Sequence, residues 1–135
     1  AEGEDAHRLR DGWRQHLPQQ LDAMTQAWRD EAAWTGMTRA GGLELPADVV
    51  GVIGLDEVIV HGWDLAVSTG QTYACPEHLV LAARGFVQGA VARNPNGSEG
   101  LFGPPVAVPD DAPPMSRLLG LTGRDPGWSA PATDG

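Results

Sequence analysis

The residue types most able to do chemistry in this chain cluster in one stretch, Leu55-Asp56-Glu57-Val58-Ile59-Val60-His61-Gly62-Trp63-Asp64-Leu65. If the stretch is helical, Glu57 and His61 lie one turn apart and within about 40° of each other around the axis, at about 100° per residue. Asp64 continues the same stripe one turn further on. Burying a carboxylate and an imidazole is costly unless they are paired, neutralised or bound to a metal. A carboxylate oxygen and an imidazole nitrogen at i and i+4 can reach one transition-metal ion. The same spacing also suits a plain hydrogen-bonded pair, and the spacing alone does not choose between the two. Asp64 is placed to orient His61 through its other ring nitrogen, or to serve as a structural hydrogen bond or cap.

Other reactive types are less informative. His7 and His16 fall on a first helix and His78 opens a later one; each reads as a solvated histidine and is a further metal ligand only by default. Cys75 sits beside Pro76 with no cation near it in sequence to lower its pKa, and reads as inert. Trp63 reads as a packing residue. Arg84 suits a surface ion pair, with an anionic substrate as the alternative. Gly41-Gly42 lacks a following phosphate-binding pattern and reads as a turn.

The elements that must carry these residues follow from periodicity. Leu9, Trp13, Leu17, Leu21, Met24 and Trp28 recur at steps of three and four, which predicts a helix from about Asp5 to Asp30, bent at Pro18. Short extended runs on either side of Gly41-Gly42, between Ala33 and Pro46, predict a small β-hairpin, with an irregular loop as the alternative. Pro46 opens the helix that bears Glu57 and His61, Asp48 lies in its first turn, and Gly70 ends it. Its apolar residues, among them Val50, Ile53, Leu55, Val58, Ile59, Val60 and Leu65, point almost all around the axis. That pattern predicts the most buried helix of the fold, with Glu57 and His61 facing other helices.

A third helix is expected from Pro76 to Arg93, with Leu79, Ala82, Ala83, Phe86, Val87, Ala90 and Val91 inward. The Pro/Gly-rich segment from Phe102 to Pro109 is expected to run extended. A short helix follows, capped by Asp and with Pro in its first turn, anchored by Leu118, Leu119 and Leu121 and ended by Gly123. The domain is read as residues 1–128, with 129–135 as a loose tail.

Size and charge bound the function. At 135 residues the chain is one domain's worth, and its formal net charge is -9. Nucleic acid and anionic membrane both need a cationic footprint, so neither is expected as a partner. No apolar run is long enough for a membrane span. The lone Cys75 excludes an intrachain disulfide framework and a Cys-rich zinc site, and favours a reducing, cytoplasmic setting. The chain begins Ala1-Glu2-Gly3 without a Met, which leaves room for a fragment or a processed chain.

In combination these residues resemble a family. Asp56-Glu57-Val58-Ile59-Val60-His61-Gly62-Trp63-Asp64-Leu65-Ala66 is similar to the signature helix of the DinB-like, mycothiol-dependent maleylpyruvate isomerase superfamily, nearest to an actinobacterial branch of small members. Trp34-Thr35-Gly36-Met37-Thr38, Gly41-Gly42, Phe102-Gly103-Pro104-Pro105-Val106, Asp110-Asp111-Ala112, Arg117-Leu118-Leu119 and Gly123-Arg124-Asp125-Pro126 resemble the same branch. The resemblance implies an all-α fold of the four-helix-bundle type, here partial and lacking the first two helices, with the small hairpin near 34–45 added.

It also implies a divalent metal, zinc or nickel, held by Glu57 and His61, with the family's third ligand, a histidine of an absent helix, unmatched here. By the same resemblance the activity is a thiol-dependent transferase or isomerase reaction, with mycothiol as thiol cosubstrate and a small electrophile as its partner. The alternative is a non-catalytic helical module in which Glu57 and His61 pair structurally. A bundle lacking two helices is expected to expose an apolar face, including Leu9, Trp13, Leu21, Trp28, Val50, Ile53 and Val60. A homodimer or association with a missing N-terminal segment would cover it.

Overall fold

The computed structural model describes residues 11–97 and 102–131. The chain forms two compact units, Ala1–Asp48 and Val49–Gly135.

In the first unit, helix α1 spans Trp13–Arg29 with Pro18 inside it. His7 and Leu9, and the expected start of this helix at Asp5, lie outside the described residues. The apolar stripe is present as helical spacing requires, yet Leu17, Leu21 and Met24 stay exposed. A 3-10 turn, Glu31–Trp34, follows, with Asp30 accepting from the Ala32 N–H at its start. It is held against the end of α1 by Trp34, whose ring meets Trp28 edge-on at 4.9 Å and whose indole N–H donates to the Trp28 carbonyl. Strands β1 (Met37–Ala40) and β2 (Leu43–Pro46) pair antiparallel, Ala40 opposite Leu43, around the expected two-residue turn. Both turn residues have positive φ, 57° at Gly41 and 81° at Gly42, a conformation that glycine adopts without steric cost.

In the second unit, helix α2 runs Ala47–Ser68, its first two residues belonging to the unit before. It ends as the Gly70 signal predicts. With φ at 70° there, the Gly70 N–H reaches the Val67 carbonyl and the Gln71 N–H reaches the Ala66 carbonyl, satisfying two otherwise unpaired acceptors. Helix α3 spans Glu77–Arg93 and α4 spans Pro114–Leu121. The core lies between them: Ile59 and Val60 of α2, Val80, Ala83 and Val87 of α3, and Leu118 of α4.

The segment before α4 is extended as expected, and its Val106 N–H donates to the Gly120 carbonyl at 2.8 Å. Gly120 lets this segment approach: a Cβ there would run into Val108 Cγ2 and lie 2.8 Å from the Val106 carbonyl oxygen. The chain past Pro131 lies outside the described residues, so the tail is only partly in view.

Several expectations are corrected. α2 is not buried all around, since Val58 is 55% and Leu65 66% exposed. Only one side of the helix meets α3 and α4, and an all-round apolar pattern gives no indication of which side. Val60, expected on the open face, is core. On α3 the inner stripe is Val80, Ala83 and Val87, whereas Ala82 is exposed. α4 has no Asp cap; Pro113 occupies the cap position and Pro114 the first helical one. A proline there has no N–H to leave unpaired, so the helix start loses little. Among the described residues no helix is long and apolar enough to cross a membrane.

Candidate metal centre on helix α2

The stripe read from the sequence exists. Glu57 Oε2 lies 3.0 Å from His61 Nε2, and Asp64 Oδ2 lies 3.0 Å from His61 Nδ1. The three side chains thus form a row along α2 with the imidazole at its centre. Asp64, three residues on, does reach the ring, as the orienting role requires.

The expected burial is wrong. The side chains of Glu57 and His61 are 45% and 61% exposed. At about 100° per residue they lie roughly opposite the core residue Ile59, while Val60 falls on the flank between the row and the core. Desolvation therefore does not force this pair together, and the physical case for a site rests on geometry.

One partner arrives from far along the chain. Arg124 grips Asp64 with one edge of its guanidinium, Nε to Oδ1 at 3.1 Å and Nη2 to Oδ2 at 2.8 Å. Its Nη1 donates to the Thr122 carbonyl just after α4. Burial pushes the Asp64 carboxyl upward, but Arg124 and His61 outweigh it and hold it below its usual range. Asp64 is thus an anion fixed in place, one oxygen facing both His61 and Arg124. In the sequence Arg124 is marked only as part of a segment that resembles the family, and no spacing pattern connects residues 60 positions apart.

A second residue passed over in the sequence is Asp56. It is 2% exposed, and its Oδ1 has no partner among the described residues. Burial, and then the neighbouring Glu57 charge, raise its pKa to about 6, against the opposing pull of Arg124 and His61. The more exposed of the two adjacent acids therefore faces His61, and the buried one faces inward.

Beside this row a surface cleft of about 340 Å³ is lined by Trp63 and Val67 of α2, Arg124, and Trp128. Trp63 is part of that wall. His16 and His78 are exposed and belong to no cluster, and His7 is outside the described residues. Burial pushes the Cys75 thiol up, consistent with an inert cysteine. Among the described residues no group of three or more His, Cys, Asp or Glu is placed to hold a metal ion. Glu57 and His61 by themselves could offer a metal only two donors.

The donor chemistry nevertheless fits a cation. A neutral imidazole donates through one nitrogen only. With Nδ1–H directed at the Asp64 anion, the Nε2 lone pair faces a Glu57 oxygen 3.0 Å away, and a proton or a metal ion between the two reconciles them. A carboxylate on the far nitrogen of a ligating histidine is the usual arrangement around protein metals.

The comparison with known families agrees with this helix. The model of the mycothiol maleylpyruvate isomerase N-terminal domain matches residues 1–66, a span that contains Glu57, His61 and Asp64. No curated protein and no solved structure matches the chain. Over that span, just under half of its length, the chain is similar to this domain of the DinB-like superfamily.

Proposed function

We propose that this chain binds a divalent transition metal, zinc or nickel, through Glu57 and His61, and serves a thiol-dependent transferase or isomerase reaction on a small electrophile. The observation that carries the reading is the convergence of Glu57 Oε2 and His61 Nε2 to 3.0 Å while Asp64 holds the other ring nitrogen. When bound there, the ion supplies positive charge that favours the thiolate form of a low-molecular-weight thiol such as mycothiol at neutral pH. Glu57 and His61 act as ligands and do not shuttle protons. Asp64 fixes the imidazole tautomer, and Arg124 fixes Asp64. On this reading the protein works in the cytoplasm, where such thiols stay reduced.

Two donors hold zinc weakly, since stable sites use three or four. The expected result of titrating Zn²⁺ or Ni²⁺ into the chain by calorimetry is therefore weak binding that His61→Ala abolishes and Glu57→Gln reduces. A chain extended at its N-terminus to supply a further histidine should bind more tightly. Equal binding by the parent chain and His61→Ala overturns the reading. The second reading, a metal-free module in which Glu57 and His61 merely pair, is favoured by the exposure of both side chains. It predicts no specific metal uptake and a near-neutral effect of His61→Ala on stability.

A further inference from the structure

The chain has nine arginines against eighteen acidic residues, and among the described arginines Arg124 alone forms an ion pair, so what marks out two of the others is a shared cleft and a buried N–H. Arg84 of α3 and Arg117 of α4 line one small cleft of about 160 Å³ in the second unit, away from the Glu57–His61 row. Among the described residues neither guanidinium forms an ion pair, in contrast to Arg124 on Asp64. Arg84 also keeps an Nε–H that is buried and has no acceptor among the described residues. Buried polar groups in folded proteins are nearly always bonded, and an arginine is never relieved by losing its proton. The surface ion pair expected for Arg84 from the sequence is absent among the described residues.

The rest of the cleft narrows the ligand. Gln88 adds one neutral polar group, and Val106, Val108 and Leu121 form an apolar wall. Asp110 is the one carboxylate on the lining; it is exposed and beyond ion-pair distance of both arginines. The lining thus carries one net positive charge on a chain that is otherwise strongly acidic. At ~30 Å³ per water in the liquid, the space equals about five waters, room for a headgroup of four to six heavy atoms. Arginine forks match two oxygens of a carboxylate or phosphate.

We propose that the Arg84–Arg117 cleft binds a small oxyanion, a carboxylate or phosphate group carried on a compact apolar body. The inference does not depend on the metal reading, and no metal enters its test.

The test is NMR titration of the ¹⁵N-labelled chain with inorganic phosphate and, separately, isobutyrate, at constant ionic strength in chloride. Saturable shifts at the Arg84 and Arg117 side-chain N–H groups are expected with at least one probe. The tighter probe tells whether phosphate or carboxylate is the preferred source. Arg117→Gln should raise Kd at least about fivefold, as loss of a charge-assisted fork does. Arg93→Gln, which removes the same charge outside the cleft, should leave Kd within about twofold, because exposed charges act weakly through salt. Arg84→Lys, which keeps the charge but not the fork, should also weaken binding. The absence of saturable shifts with both probes, or equal effects of Arg117→Gln and Arg93→Gln, overturns the proposal. Should Arg84→Lys fail to fold, the Arg117 and Arg93 variants decide alone.

Discussion

Replacing Asp56 with Asn should stabilise the protein at neutral pH, by an amount that depends on pH in a particular window. Asp56 is almost fully buried, with one carboxyl oxygen unpartnered among the described residues, and its pKa rises from 3.8 to about 6. A rise of about two units, at about 1.4 kcal/mol each, makes its ionisation in the folded state unfavourable by about 3 kcal/mol. The sign follows from proton binding. Between the unfolded value of 3.8 and the folded value of about 6, the folded chain holds more protons, so stability falls as pH rises through that interval. Above it the full penalty applies, and below it the penalty vanishes.

Asn keeps the shape and removes the charge, but its amide brings two donors that need acceptors, an opposing and pH-independent term of about 1 kcal/mol. The net gain expected above pH 7 is therefore about 2 kcal/mol, and it should disappear on acidification. Urea unfolding followed by far-UV circular dichroism, on parent and variant from pH 4 to 8, measures the difference directly. A difference constant across that range, or a variant less stable at pH 8 by more than the amide term, would refute the argument. Either result would mean that the Asp56 anion is solvated or bonded in the folded chain.

Three further outcomes are expected. Gly120→Ala should destabilise by about 2–3 kcal/mol, because the new methyl meets Val108 and the Val106 carbonyl where the extended segment crosses α4; calorimetric melting tests it. Gly70→Ala should cost about 1 kcal/mol through its left-handed φ of 70°, read from the urea midpoint at unchanged m-value. Arg124→Ala should release Asp64 upward toward the usual carboxylate range, measured by ¹³C titration of its carboxyl. Asp64's depressed pKa contributes stability above its unfolded value that is lost as pH falls through the folded value, so the variant should lose less stability on strong acidification.

Much of the architecture is local and was legible as such. The two-residue turn at Gly41-Gly42, the termination at Gly70 and the extended run through Pro104 and Pro105 depend on φ preferences that each residue carries with it. The row of Glu57, His61 and Asp64 is equally a property of one helix, because three- and four-residue spacing puts side chains on one side whatever surrounds them.

Which side of that helix is inside is a different kind of fact. Asp56 and Glu57 are neighbours about 100° apart on a helix whose apolar residues surround it, and nothing in the pattern says that Asp56 is the buried one. Val80, Val87 and Leu118 decide it by packing on the side that carries Ile59 and Val60. The hold of Arg124 on Asp64 and the shared cleft of Arg84 and Arg117 likewise join separate stretches of chain. Periodicity and turn chemistry act within a few residues, so the sequence alone determined the helices, the hairpin and the order of donors along α2. Only the tertiary structure decided which acid of α2 is buried and which distant arginine meets the row, because long-range contacts depend on how the helices pack and leave no spacing in the sequence to read.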